Sequence, residues 1–220
     1  MLKVLNLYAG IGGNRKLWPD DKIEVTAVEL NPEIAKIYKD FFPNDKVIVG
    51  DAHQYLLEHY KEFDFIWSSP PCPTHSRLRK NFIGTTCGAK PVYPDMMLYE
   101  EILFLQGYFK GKFVVENVIS WYDPLIKPFE VGRHYYWSNF IIPKTKEVEG
   151  KFTLTNGTNK ETDLQQAERL AKEFDFDMSK YSFSPSKKRL MLRNCVNPKV
   201  SLHIYNCAFK ERQVILNGLE

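Results

Sequence analysis

Apolar runs recur through the first 143 residues at the spacing of alternating strands and helices. KVLNLY (3–8) is apolar enough for a buried strand and runs straight into the glycine turn AGIGGN. EVTAVEL (24–30), DKVIVGD (45–51) and FDFIWSS (63–69) read as the second, third and fourth strands. Between them, NPEIAKIYKDFF puts apolar residues 34, 37, 38, 41 and 42 on one helical face, with Asn31 at the N-cap and Pro32 at the first helical position. QYLLEHY predicts a second, short helix. Pro94 and Asp95 open a third, MMLYEEILFLQGYF, closed by Gly111 before the strand KFVVENV. HYYWSNFIIP (134–143) gives a further strand near an edge, stopped by Pro143. This alternation predicts an α/β fold, a mostly parallel sheet with helices on both faces.

The rhythm changes after residue 143. Residues 144–187 are polar and carry one amphipathic helix, ETDLQQAERLAKEF, apolar at 164, 167, 170, 171 and 174. Its glutamates assign it to packing and not to polyanion contact. CVNPKVSLHIYNCAF (195–209) predicts a closing helix after Pro198 that returns the chain to the main layer.

A chain of 220 residues, 44% hydrophobic and 26% charged, fits a soluble globular domain with a small appendage. No run approaches the ~18 apolar residues of a membrane span, and MLKVLNLYAG lacks a signal-peptide profile, so a cytoplasmic protein with no membrane partner is expected. Cys72, Cys87, Cys195 and Cys207 lie far apart, which points to reduced thiols and to no metal site. A net charge of +3 identifies no nucleic-acid partner by itself.

Three places carry candidate chemistry. The turn Ala9-Gly10-Ile11-Gly12-Gly13 follows the first strand, and Glu29 ends the second, where a carboxylate can accept from ribose hydroxyls. A dinucleotide fingerprint needs glycine at 15, where Arg15 stands, so a nucleoside cofactor such as S-adenosylmethionine is favoured over NAD, with Asp51 able to accept from an adenine amino group. In SSPPCPTHS (68–76), two prolines fix an extended path and hold Cys72 at the carboxyl end of a strand, as a nucleophile or as a buried structural thiol. In VVENV, Glu116 emerges from the next strand, either as a solvated charge or as an acid that meets a heterocycle nitrogen.

In order and combination, LYAGIGG, VEL, VGD, SSPPCPTHS, VVENV, GRHYYWSN and RNCVNPKVSLHIYNCAF resemble the motifs of the DNA cytosine-5 methyltransferases, most of all small members carried by phages and mobile elements. The likeness spans both ends of the chain but not 144–187. It implies a Rossmann-like S-adenosylmethionine-dependent methyltransferase fold in three stretches: 1–143 catalytic and cofactor-binding, 144–187 a reduced target-recognition insertion, and 188–220 a return to the catalytic domain. It further implies that Tyr8, Ala9, Gly10, Gly12, Gly13, Glu29, Leu30, Asp51, Ala52, Pro70 and Asn194 bind S-adenosylmethionine. Cys72 would attack a flipped cytosine, Glu116 would contact its N3, and Arg133 would help to hold both. GRHYYWSN carries one arginine where the family usually shows more, and Arg193 stands where it usually has glycine.

Arg77, Arg79 and Lys80 in a loop after the nucleophile, and Lys187, Lys188 and Arg189 further on, are expected at the nucleic-acid backbone. The partner implied is DNA, taken as duplex, with protection against restriction as its use. The short insertion points to loose specificity, or to self-association or a partner protein that completes recognition. The alternatives are cytosine methylation in RNA or single-stranded DNA, and a non-catalytic module that binds cofactor or nucleic acid.

Overall fold

The computed structural model describes residues 1–84, 90–144 and 161–210; Cys87 lies outside them, as do residues 145–160 of the polar stretch. Seven strands among the described residues form one sheet: β1 (Leu2–Leu7), β2 (Ile23–Glu29), β3 (Lys46–Val49), β4 (Phe65–Ser68), β5 (Lys112–Val118), β6 (Phe129–Val131) and β7 (His134–Ser138). Their order is β3-β2-β1-β4-β5-β7-β6. The first five pair in parallel, as the continuous apolar runs require, and β7 returns antiparallel to β5. The chain winds outward from β1 through β2 to β3, then jumps back to β4 on the other side of β1. That reversal opens a crevice at the carboxyl ends of β1 and β4.

Helices cover both faces. On one, α7 (Pro198–Phe209) sets Ile204, Tyr205 and Ala208 against Trp18, Phe65, Trp67 and Tyr136. On the other, α2 (Ala52–His59) and α4 (Met97–Tyr108) bury Leu56, Leu98, Ile102 and Leu105 against Leu5, Leu7, Ile66 and Val115. A third cluster joins α1 (Pro32–Phe41) to α5 (Asp163–Phe174) and α6 (Pro185–Arg193) through Ile37, Tyr38, Leu170, Phe174 and Leu192. The amphipathic helix of the polar stretch therefore packs as expected, started by a capping box between Thr162 and Gln165.

Three local expectations change. The strand begun at His134 lies near the edge as expected but stops at Ser138, well before Pro143, and β6 pairs with its outer side across the Gly132 turn (φ +61°). The segment after Cys72 forms α3 (Arg77–Asn81), since the Ser76 hydroxyl accepts from the Leu78 amide and caps it. Residues 185–193, read only as a basic group, form α6, capped by Ser184 with Pro185 at the first position. No described helix is long and apolar enough to cross a membrane.

Candidate active site

The glycine turn folds tightly: Tyr8, Gly10 and Gly12 have φ of +55°, +56° and +89°. The Glu29 carboxylate pins it, accepting from the Gly10 amide (2.9 Å) through one oxygen and from the Asn31 amide (2.9 Å) through the other. A Cβ on Gly10 would meet no atom within 4 Å, so the turn presents bare backbone to open space. Tyr8, Gly10 and Gly13 form one wall of a cleft and Asn194, Cys195 and Val196 another, with Ser69 also in its lining. The walls meet at Gly13, where an added Cβ would lie 2.5 Å from Cys195 Cβ and 2.8 Å from the Val196 carbonyl oxygen. Gly13→Ala is therefore expected to lower the free energy of unfolding by about 1–3 kcal/mol, read as a lower urea midpoint at unchanged slope.

A buried carboxylate ties Tyr8 to the neighbouring elements. Glu101 on α4 is fully buried and accepts from the Tyr8 hydroxyl (2.5 Å) and the Ser68 hydroxyl (2.6 Å), with His53 Nδ1 at 3.1 Å. Burial, reinforced by Glu101, pushes the Tyr8 hydroxyl far above the usual phenol range, so it stays a donor. The hydrogen bond to Glu101 raises His53. The ends of β1 and β4 and the start of α2 are thus tied to one residue. Glu101 was missed in the sequence, although it shares a helical face with Leu98, Ile102 and Leu105 at spacings of three, one and four.

The segment that carries Cys72 is held through its backbone. Pro70 is buried and its carbonyl accepts from Asn117 Nδ2 (2.9 Å), which fastens the segment to β5. The amides of His75 and Ser76 both donate to the Cys72 carbonyl (3.0 and 3.1 Å) and turn the chain. Residues 74–77 are then stitched to 120–122. Trp121 Nε1 donates to the Thr74 carbonyl (3.0 Å), the Trp121 amide to the His75 carbonyl (3.1 Å) and Arg77 Nε to the Ser120 carbonyl (3.0 Å). His75 is fully buried with Nδ1 2.6 Å from the Tyr122 hydroxyl, and burial lowers its pKa.

Cys72 is half-buried, and Glu116 lies close enough for its carboxylate to act on the thiol: burial first, then Glu116, raises the Cys72 pKa. Glu116 is itself buried on β5, with His134 Nε2 3.6 Å from its carboxylate. Sequence reasoning missed His134. Cys195, in the cleft wall, is pushed up to about 12 by burial, which leaves Cys72 the more reactive of the two thiols.

The basic residues divide. Lys80 Nζ lies 4.9 Å from the centre of the Trp121 ring, and Arg79 Nε is buried with no hydrogen-bond partner. Lys187 pairs with Glu33 of α1, and Arg189 with Asp163 of α5 (2.9 Å), so both hold α6 in place. Lys188 is half-buried on the same helix. Arg133 is exposed in the β6–β7 turn, next to His134. Leu30 (68% exposed) and Asp51 stand outside the cleft at the ends of β2 and β3, the latter capping α2 through Oδ1 on the Gln54 amide. No group of His, Cys, Asp and Glu among the described residues could hold a metal ion.

The chain is similar to tRNA (cytosine(38)-C(5))-methyltransferase of Spodoptera frugiperda, 32% identical over 83 residues that cover 36% of this chain and 25% of that protein. The Homo sapiens protein of the same name is 32% identical over 82 residues, covering 35% of this chain and 21% of its own. The match thus spans a quarter or less of these relatives' length. A solved structure of a Spodoptera frugiperda DNMT2 variant aligns with a TM-score of 0.37 at 25% identity, over 54% of this chain and 36% of that one. Residues 2–120 match the family model of the C-5 cytosine-specific DNA methylases. That stretch runs from β1 through β5 and includes the glycine turn, Cys72 and Glu116, and on it the chain belongs to the C-5 cytosine-specific DNA methylase family.

Proposed function

We propose that the protein methylates C5 of cytosine in duplex DNA, with S-adenosylmethionine, the methyl donor of this family, held in the cleft and Cys72 as the nucleophile. The observation that carries this reading is that β4 and β5 pair in parallel and bring Cys72 and Glu116 to the same carboxyl edge, within electrostatic reach of each other and beside the glycine-turn cleft. The residues present fit the donor. The turn offers close backbone approach without a phosphate cradle, Glu29 stands at its rim, and Asp51 keeps one carboxylate oxygen outside its helix cap.

Cytosine C5 is too weak a nucleophile to take a methyl group directly. Addition of the Cys72 thiolate to C6 turns the ring into an enamine reactive at C5. Glu116, hydrogen-bonded at N3, stabilises the charge that addition places on the ring. Bound S-adenosylmethionine supplies the electrophilic methyl group. Loss of the C5 proton and expulsion of Cys72 then restore the aromatic ring. The base must leave its stack to reach the thiol. In this reading the stretch between β7 and α6 is the reduced recognition lobe, and Arg77, Arg79 and Lys80 face the backbone of the substrate.

Cytosine in RNA is the second reading, supported by the relatives named for tRNA cytosine methylation. Expression in a host lacking cytosine methylation, with bisulfite sequencing of both DNA and tRNA, separates the two. Conversion-resistant cytosines at a defined DNA sequence are expected. Resistance confined to tRNA moves the assignment to RNA. Neither signal from a folded protein that binds S-adenosylmethionine refutes both and leaves a non-catalytic module.

A further inference from the structure

Packing alone gives no reason for an acid on the apolar face of α4. Glu101 is fully buried on that face with Leu98, Ile102 and Leu105, where a hydrocarbon side chain of similar length would fill the same volume. Stability does not call for the carboxylate either, because a buried hydrogen-bonded cluster exchanged for apolar groups of the same shape leaves a fold about as stable. What a hydrocarbon cannot do is fix the direction of a hydroxyl.

The two carboxylate oxygens are divided between the two strands that flank the crevice. Oε1 accepts from Tyr8, the residue that follows β1, and lies 3.1 Å from His53 Nδ1 at the start of α2. Oε2 accepts from Ser68, the last residue of β4, which pairs in register with Leu7. Each hydroxyl leads to one half of the site. Tyr8 lines the glycine-turn cleft, and its φ of +55° is a left-handed conformation that a bulky side chain holds only when its surroundings fix it. The bond at the far end of its ring is such a restraint. Ser68 precedes Ser69, also in the cleft lining, and Pro70 and Pro71 carry the chain from there to Cys72 with few dihedrals left free.

We infer that Glu101 is a positioning residue: one carboxylate holds the Tyr8 wall of the donor cleft and the root of the Cys72 segment at a fixed spacing. This role rests on the reading of the cleft and of Cys72 given above. Methyl transfer needs the donor in line with C5 while the thiol is bonded to C6, and a misplacement of about 1 Å can cost about 10²-fold in rate. Glu101 acts on that alignment through Tyr8 and Ser68 without touching either reactant.

The test compares wild type with Glu101→Met, Glu101→Gln and the triple variant Tyr8→Phe/Ser68→Ala/Glu101→Met, each first shown folded by thermal melting. S-adenosylmethionine affinity is read by calorimetry, and kcat by transfer of a labelled methyl group to a cytosine-containing DNA duplex and to tRNA at saturating donor. Glu101→Met removes both acceptors and is expected to weaken donor binding about tenfold and to lower kcat by about 10- to 100-fold. Glu101→Gln, which keeps one acceptor and can donate to the Ser68 hydroxyl, should recover most of both. The triple variant replaces the cluster by apolar groups, so it should melt close to wild type yet stay as impaired as Glu101→Met. A triple variant with wild-type affinity and kcat overturns the positioning role and leaves the cluster a matter of stability alone. Weakened donor binding at unchanged kcat overturns the fixed spacing between the two halves. A wild type that binds S-adenosylmethionine but methylates neither nucleic acid refutes the proposed function on its own, and the calorimetry of the variants then still decides whether Glu101 sets the Tyr8 wall.

Discussion

Cys72→Ala is expected to abolish methyl transfer, a fall of at least about 10⁴-fold in kcat, with S-adenosylmethionine affinity and melting temperature unchanged. The fold should not notice the change. The thiol is half-buried, and the bonds that shape its segment run through the backbone of Cys72, the Pro70 carbonyl and residues 74–77, none of which the substitution touches. Cys72→Ser should be as inactive, because a hydroxyl in this site yields far less anion than a thiol. A substrate with fluorine at C5 makes the role of the sulfur visible directly. Fluorine cannot leave as a cation, so the adduct cannot collapse, and wild type should form a complex stable to denaturing electrophoresis. Adduct formation by Cys72→Ala would remove Cys72 from the mechanism.

The next largest effect is expected from Glu116→Gln, and it has two parts of opposite sense. Loss of the acid that bonds to N3 should lower kcat by about 10²- to 10⁴-fold. Without substrate, the same change should make the thiol more reactive. The Glu116 carboxylate disfavours the thiolate of Cys72, so its removal lowers the thiol pKa and shifts the alkylation profile with iodoacetamide to lower pH. Burial, the larger cause, remains, so the thiol should still titrate above an ordinary cysteine. A profile that does not move, or moves upward, would place Glu116 outside the electrostatic reach of Cys72. Faster alkylation together with slower catalysis would separate the glutamate's cost to the free thiol from its service to the bound ring.

Much of this molecule was legible in the chain because its information is local. β1, β2, β4 and β5 announce themselves as apolar runs buried on both faces, β3 as a half-exposed run at the sheet's edge, and α1 by Asn31, Pro32 and a clean apolar stripe. Cys72 and Glu116 could be paired in advance because parallel neighbours must end on the same edge. What escaped was short or held by distant partners. β6 has three residues and exists because β7 offers a free edge. α3 has five, and its basic sequence carries no apolar periodicity. Glu101 looks like one more helical acid until Tyr8, Ser68 and His53 gather on it from three other parts of the chain.

The closure of the cleft at Gly13 also bears on how the protein assembles. Cys195 and Val196 press on the glycine turn, and in the first turn of α7 the Ser201 hydroxyl donates to the Asn14 carbonyl (2.7 Å) and accepts from Trp18 Nε1 (2.9 Å). Contacts that span more than 180 positions are late and slow to form, since a large loop must close before any of them contributes. The sheet can therefore exist before the cleft does, and a ligand that touches both walls binds only the docked form. S-adenosylmethionine should then slow deuterium uptake most in the amides of α6 and α7, turning the loosest-closing seam of the fold into its ligand gauge.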